Sequence, residues 1–142
     1  MVGAAFAQGA RPQVVVPGYG FNGIHGLTFD AENNLYVGSV IGQSVYKVSP
    51  GTGEAETYIG IPEGMADDLE FGPDGTLAWT SFTTGIVYAR NGNGPIRKLA
   101  EGYPGANSLA FNDEGRLFFT QVFLGDALYE IYPCISLNTL AV

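Results

Sequence analysis

Asp67-Asp68-Leu69-Glu70-Phe71-Gly72-Pro73-Asp74-Gly75-Thr76-Leu77-Ala78-Trp79 joins two short apolar runs through a glycine-containing turn, and the chain repeats the phrase on either side. Its other copies are Gly26-Leu27-Thr28-Phe29 with Leu35-Tyr36-Val37, and Ser108-Leu109-Ala110-Phe111 with Leu117-Phe118-Phe119. Leu27 to Leu69 is 42 residues and Leu69 to Leu109 is 40, and in every copy the Phe stands six residues before the second Leu. Apolar residues alternate with polar or small ones through the first run, the period of a half-buried strand, so each copy is a hairpin within a larger repeated unit.

A third run stays in phase at Val45-Tyr46, Val87-Tyr88 and Leu128-Tyr129. A fourth follows in the first two copies, Glu56-Thr57-Tyr58-Ile59 and Ile96-Arg97-Lys98-Leu99, after the glycine-rich turns Pro50-Gly51-Thr52-Gly53 and Asn91-Gly92-Asn93-Gly94. Four strands in about 40 to 45 residues describe the blade of a β-propeller. Nowhere do apolar residues recur at i, i+3, i+4 and i+7 over three turns, and 21 Gly and 8 Pro in 142 residues interrupt any long helix. The fold class read from these patterns is all-β, with residues 13–133 forming about three four-stranded blades. Leu27, Phe29, Leu69, Phe71, Leu109 and Phe111, with Val37, Trp79 and Phe119 on the second strands, are expected to fill the space between blades.

The remaining ends are read separately. Residues 1–12 begin Met1-Val2-Gly3-Ala4-Ala5-Phe6-Ala7-Gln8, in which Ala5-Phe6-Ala7 is an A-x-A cleavage pattern of a secretory signal without its basic start, so a secreted or periplasmic protein is expected. Residues 134–142 lose the phase of the repeat, so a truncated ring is expected, with an apolar blade face and blade edges open to a homodimer. Cys134, the one cysteine, excludes an intramolecular disulfide. Six Lys and Arg against a formal charge of −8 exclude a nucleic-acid partner, and no run of 18 apolar residues offers a membrane span.

The period also locates chemistry. His25, Asp67 and Asn107 each precede an inner strand at the same point of the repeat, so they are expected on one ring at the mouth of the central channel. An imidazole, a carboxylate and an amide converging there suit a divalent cation, calcium or zinc. Asp67 is the catalytic candidate and all three are candidate metal ligands. On the neighbouring loops Tyr103, Phe123 and Glu63 are the candidate substrate-binding residues, and Phe82 is expected to face the same mouth. These features suit a small-molecule ligand.

The phrases Gly105-Ala106-Asn107-Ser108-Leu109-Ala110-Phe111-Asn112-Asp113-Glu114-Gly115-Arg116-Leu117-Phe118 and Asp67 to Leu77 resemble those of the SMP-30/gluconolactonase family. The resemblance covers roughly residues 13 to 133. It implies a six-bladed propeller whose channel cation is held by a Glu, an Asn and an Asp from different blades. Asn107 falls on the family's Asn, and Asp67 on the equivalent place one blade earlier. The family's Glu phrase is not visible, and its Asp would fall past Val142. The blade phrase is shared with NHL-repeat proteins, streptogramin lyases and strictosidine synthase-like proteins. The implied activity is hydrolysis of a lactone or similar small ester by a segment of a metal-dependent enzyme, inactive as truncated if the missing groups are essential. The alternative is a non-catalytic NHL-like propeller that binds a small ligand or a protein through the same face.

Overall fold

The computed structural model describes residues 11–16 and 20–132. The leader Met1 to Gln8, Cys134 and the stretch 134–142 lie outside the described residues.

Every described element is a strand. The first sheet runs β1 (Ile24–Phe29), β2 (Leu35–Ser39), β3 (Ser44–Ser49) and β4 (Glu54–Ile59), and the second β5 (Asp68–Phe71), β6 (Thr76–Ser81), β7 (Ile86–Asn91) and β8 (Arg97–Glu101). The third has β9 (Ala106–Phe111), β10 (Leu117–Gln121) and β11 (Ala127–Ile131). All three are antiparallel meanders in chain order, so three blades of a propeller stand side by side, the third with three strands among the described residues.

The repeat read from the sequence is a repeat of register. Leu27 pairs with Val37, Leu69 with Trp79 and Leu109 with Phe119. On the next strand Val37, Trp79 and Phe119 pair with Tyr46, Tyr88 and Tyr129. The hairpin turns close alike, with Asp30 N–H to Asn34 O at 3.0 Å, Gly72 N–H to Thr76 O at 2.8 Å and Asn112 N–H to Arg116 O at 3.0 Å. Each turn needs a left-handed residue at one point, supplied by Asn33 (φ 66), Gly75 (φ 80) and Gly115 (φ 78). Asp30, Asp74 and Asn112 side chains accept from the turn backbone, the Asx chemistry that makes such turns tight.

The core lies between blades. One cluster joins Tyr36, Val45 and Ile59 of the first blade to Leu69, Leu77 and Trp79 of the second. Another joins Ala78, Val87 and Ala89 of the second to Leu109, Leu117 and Phe119 of the third. Leucine and aromatic residues face small ones across the second gap, which lets the inner strands approach. Polar groups bind the same gap: Asp68 Oδ2 accepts from Leu109 N–H at 3.1 Å and Glu70 Oε2 from Phe111 N–H at 2.7 Å.

Two expectations change here. Leu27 and Phe29 do not fill a gap between blades; they are 60% and 49% exposed, because no blade among the described residues stands against their face of the first blade. Val37 on that same face is buried by Phe21 and Val48, a local cover that reaches the second strand and not the first. The outer strands β4 and β8 carry Glu54, Glu56, Arg97, Lys98 and Glu101, charges that discourage edge-to-edge pairing.

Candidate functional site

The chain enters each inner strand from one face of the blades, so the residue before each strand lies at the channel mouth. His25 stands second in β1, Asp67 precedes β5 directly, and Asn107 stands second in β9. The structure brings the three together. Asn107 Nδ2 donates to Asp67 Oδ2 at 2.7 Å. His25 Nδ1 lies 3.1 Å from the Asp67 carbonyl oxygen and 3.5 Å from its Oδ1. The tautomer with Nδ1 protonated donates to that carbonyl and leaves the lone pair on Nε2.

Asp67 is the buried member, 5% exposed, while His25 is open to solvent. Burial pushes its carboxyl above the usual value; the His25 ring pulls it back and the neighbouring Asp68 carboxylate raises it further. Of its two oxygens, Oδ2 takes a short amide bond and Oδ1 has only the His25 ring nitrogen at 3.5 Å, too long for a strong hydrogen bond. Oδ1 is therefore the oxygen with capacity to spare. The inner-strand backbone holds this arrangement, since Asp67 N–H donates to Thr80 O at 2.8 Å and the Thr80 hydroxyl donates to the Asn107 carbonyl.

A cleft of about 360 Å³ lies over the cluster, walled by Gly23, Ile24, His25, Val40, Ile41, Asp67, Phe82 and Asn107. Phe82 takes the place expected of it. The other three loop candidates stand elsewhere. Phe123 is an exposed side chain on the same face but outside the cleft wall. Tyr103 packs against Phe119 and Tyr129 at centroid distances of 5.2 and 4.8 Å, as part of the core between blades. Glu63, half-buried, uses its carbonyl to accept the Trp79 indole N–H at 2.7 Å.

One physical reason accounts for both Tyr103 and Glu63. Phe21, Glu63 and Tyr103 occupy one point of the repeat, spaced 42 and 40 residues apart. In the first blade Phe21 meets Tyr46 edge-on at 5.1 Å, as Tyr103 meets Tyr129 in the third. In the second blade Trp79 stacks on Tyr88 at 5.4 Å, as Phe119 does on Tyr129 at 4.9 Å in the third, but the indole is larger and carries an N–H, and the loop there contributes a backbone acceptor where its neighbours contribute a ring. The aromatic loop positions are thus explained by packing.

Sequence reasoning missed Ile24, Val40 and Ile41 as cleft walls. A signal existed at Ile41, a large apolar residue beside Gly42 in a loop that β geometry does not require to be apolar.

Among the described residues no group of three or more His, Cys, Asp or Glu gathers that could hold a metal ion. The side chains at the mouth offer an imidazole, a carboxylate and an amide, a nitrogen-and-oxygen mixture nearer to what zinc takes than to the six to eight oxygens of calcium. The atoms that His25 and Asn107 turn toward Asp67 are Nδ1 and Nδ2, and the Asn107 Oδ1 accepts from Ser108 Oγ, so the three donor atoms do not face one point in this arrangement.

No protein-family model matches the chain, and no curated protein sequence matches it. Solved structures do. A gluconolactonase from Xanthomonas campestris is similar at 21% identity and a TM-score of 0.66, over 75% of this chain and 43% of that one. Virginiamycin B lyase from Staphylococcus aureus is similar at 14% identity and a TM-score of 0.60, over 78% of this chain and 41% of that one. A chain of a nidogen/laminin complex matches at 23% identity and a TM-score of 0.61, over 69% of this chain and 39% of that one. These likenesses show the β-propeller fold. The match spans about two fifths of each of those proteins.

Proposed function

We propose that the channel-mouth face belongs to a lactonase-like hydrolase acting on a small lactone or ester, with Asp67 as its general base. The observation that carries this reading is a carboxylate buried beside a cleft with one oxygen clamped by an amide and the other left open. The gluconolactonase among the similar structures supports the choice of reaction class.

In this reading Asp67 Oδ1 takes a proton from water as the water oxygen bonds to the carbonyl carbon. When the ring C–O bond breaks, the same proton passes to the departing alkoxide oxygen, leaving an acid and an alcohol on one molecule. The raised carboxyl suits both transfers, because it accepts and returns a proton nearer to neutral pH than an ordinary Asp would. Asn107 fixes the carboxylate's rotation through Oδ2, and His25 holds the other flank of the mouth. A divalent cation held by the Asp67 carboxylate and the His25 imidazole would require that ring to turn from its present contact with the Asp67 carbonyl, and would supply Lewis-acid polarisation of the substrate carbonyl.

The rival reading, a non-catalytic propeller that binds through this face, has one observation in its favour: Asp67 is already engaged with both neighbours. Hydrolysis of simple lactones, followed by proton release with zinc, calcium or chelator present, separates the two. Asp67→Asn keeps an acceptor for Asn107 and removes the base, so a loss of about 10²- to 10⁴-fold is expected. If the unaltered chain matches buffer under every metal condition, or Asp67→Asn hydrolyses as fast as the parent, the hydrolase reading is wrong.

A further inference from the structure

The two faces of the blades differ in chemistry. The turns within hairpins, Asp30 to Asn34, Pro50 to Gly53, Gly72 to Gly75 and Asn112 to Arg116, are built of polar residues, Gly, Pro and a single Ala. The opposite face, which holds the mouth, exposes Ile24, Ile41, Ile61, Val122, Phe123 and Leu124. Single exposed apolar side chains need no cause. Five on the loops of one face, with Ile24 at the start of β1 beside them, outnumber those near the opposite turns, where Val15 by Gly53 and Tyr132 past β11 are exposed.

Two of the six, Ile24 and Ile41, wall the cleft itself, with Val40 and half-buried Phe82. The polar wall is His25, Asp67 and Asn107, and both neighbours already engage Asp67. A sugar lactone presents a hydroxyl on most of its ring carbons, and each loses water on entering the cleft. Apolar walls give those hydroxyls no partner, and an unmade hydrogen bond costs affinity. A hydrocarbon substituent on the same ring finds area to bury at every wall.

We propose that this site takes a lactone or ester bearing a hydrocarbon substituent of several carbons. Its carbonyl lies at Asp67 and Asn107 and its hydrocarbon lies on Ile24, Val40, Ile41 and Phe82. The proposal deepens the hydrolytic reading and rests on it for the reacting group, but not for the apolar contact. A cleft of about 360 Å³ is at the small end of ligand sites, which sets the substituent at a short chain or one aromatic ring.

The test uses γ-lactones with side chains of increasing length, glucono-δ-lactone, and the matching γ-alkyl lactams, which bind without being opened. Lactam dissociation constants from calorimetry should fall about two- to fourfold per added methylene over the first few, and kcat/KM for the lactones should rise in parallel. Ile41→Ser should flatten both series; Ile41 is 77% exposed, so the substitution leaves the core intact, and an unchanged melting temperature verifies this. Phe82→Leu, which keeps an apolar wall, should retain most of the slope. If glucono-δ-lactone is opened as well as or better than every alkyl lactone, this inference fails while the hydrolytic reading stands. If lactam binding follows chain length but no lactone is opened, the hydrolytic reading fails and the apolar ligand stands. Lactam binding that is absent, or indifferent to chain length, overturns the inference directly.

Discussion

Leu69 in the second blade is 2% exposed; Leu27, at the equivalent point of the first, is 60% exposed. Both are leucines on an inner strand, and both pair with the equivalent residue of the second strand. The difference lies in what stands in front of them. Leu69 meets the back of the first blade, whereas among the described residues the front of the first blade meets the short cover of Phe21 and Val16 over Val37. A repeat therefore specifies which side chains can fill a gap between blades, and the neighbour decides whether the gap exists. The second blade, covered on both sides, has a middle strand buried from Thr76 to Ser81 and acts as the keystone of the three.

The sharpest way to break that contrast is to truncate one residue on each side of it. Trp79→Ala should cost about 3–5 kcal/mol, because the indole lies wholly inside the gap between the first and second blades. Phe29→Ala, on the open face, should change stability by less than about 0.5 kcal/mol. Denaturant titration measures both, and equal losses would mean that the front of the first blade is covered in solution.

A smaller effect is expected where the blades are tied by polar groups. Glu70→Ala leaves the Phe111 N–H without its acceptor in the gap and should cost about 1–3 kcal/mol. At the equivalent point of the first blade stands Thr28, which makes no such tie to the second blade, so Thr28→Ala should be near neutral. Hydrogen exchange at Phe111 isolates the tie, since its amide should lose protection in the Glu70 variant while Leu117 keeps its own.

Acid behaviour gives a finer test of the covered blade. Burial raises the Asp67 carboxyl above its ordinary 3.8, so between that value and the raised one the folded state holds the proton more often than the unfolded state. Stability from this group is present below 3.8 and declines as pH climbs through the raised value. Asp67→Asn should remove that decline and leave the protein more stable than the parent near neutral pH. A parent and variant with parallel pH profiles would show that the carboxylate is not shielded.

The smallest expected change in monomer stability is the one most informative about assembly. We propose that two copies pair through apolar side chains exposed on their outer blades, Leu27 and Phe29 on the first and Leu128 on the third. Leu27→Ser and Leu128→Ser should lower a concentration-dependent mass in sedimentation without shifting the melting temperature at high dilution. A parent that stays monomeric at every concentration overturns the expectation.

The architecture was legible because its evidence is periodic. Leu27, Leu69 and Leu109 announce three strands at once, and each confirms the others' register. His25, Asp67 and Asn107 were legible for the same reason, since a shared phase in the repeat means a shared height on the channel. What could not be read was anything that depends on volume rather than phase. Tyr103 looked like a ligand contact because aromatic loop residues serve equally as walls and as filler, and only the size of Trp79 one blade earlier explains which it is. Val40 shares an apolar phase with Phe82 and Val122, but Ile41 stands in phase with Thr83 and Ile24 with Ala66 and Ala106, and these two become walls through the folding of two loops toward each other. The open face of Leu27 and Phe29 depends on a neighbour, which no local pattern encodes.

Trp79 is the chain's one tryptophan, and its indole N–H is bound to the carbonyl of Glu63, four residues before Asp67. The molecule thus carries a built-in optical gauge at the base of the loop that delivers the candidate carboxylate. Its emission should be that of an indole shielded from water, and any ligand that shifts the 63–67 segment will change its wavelength or intensity without a label being added.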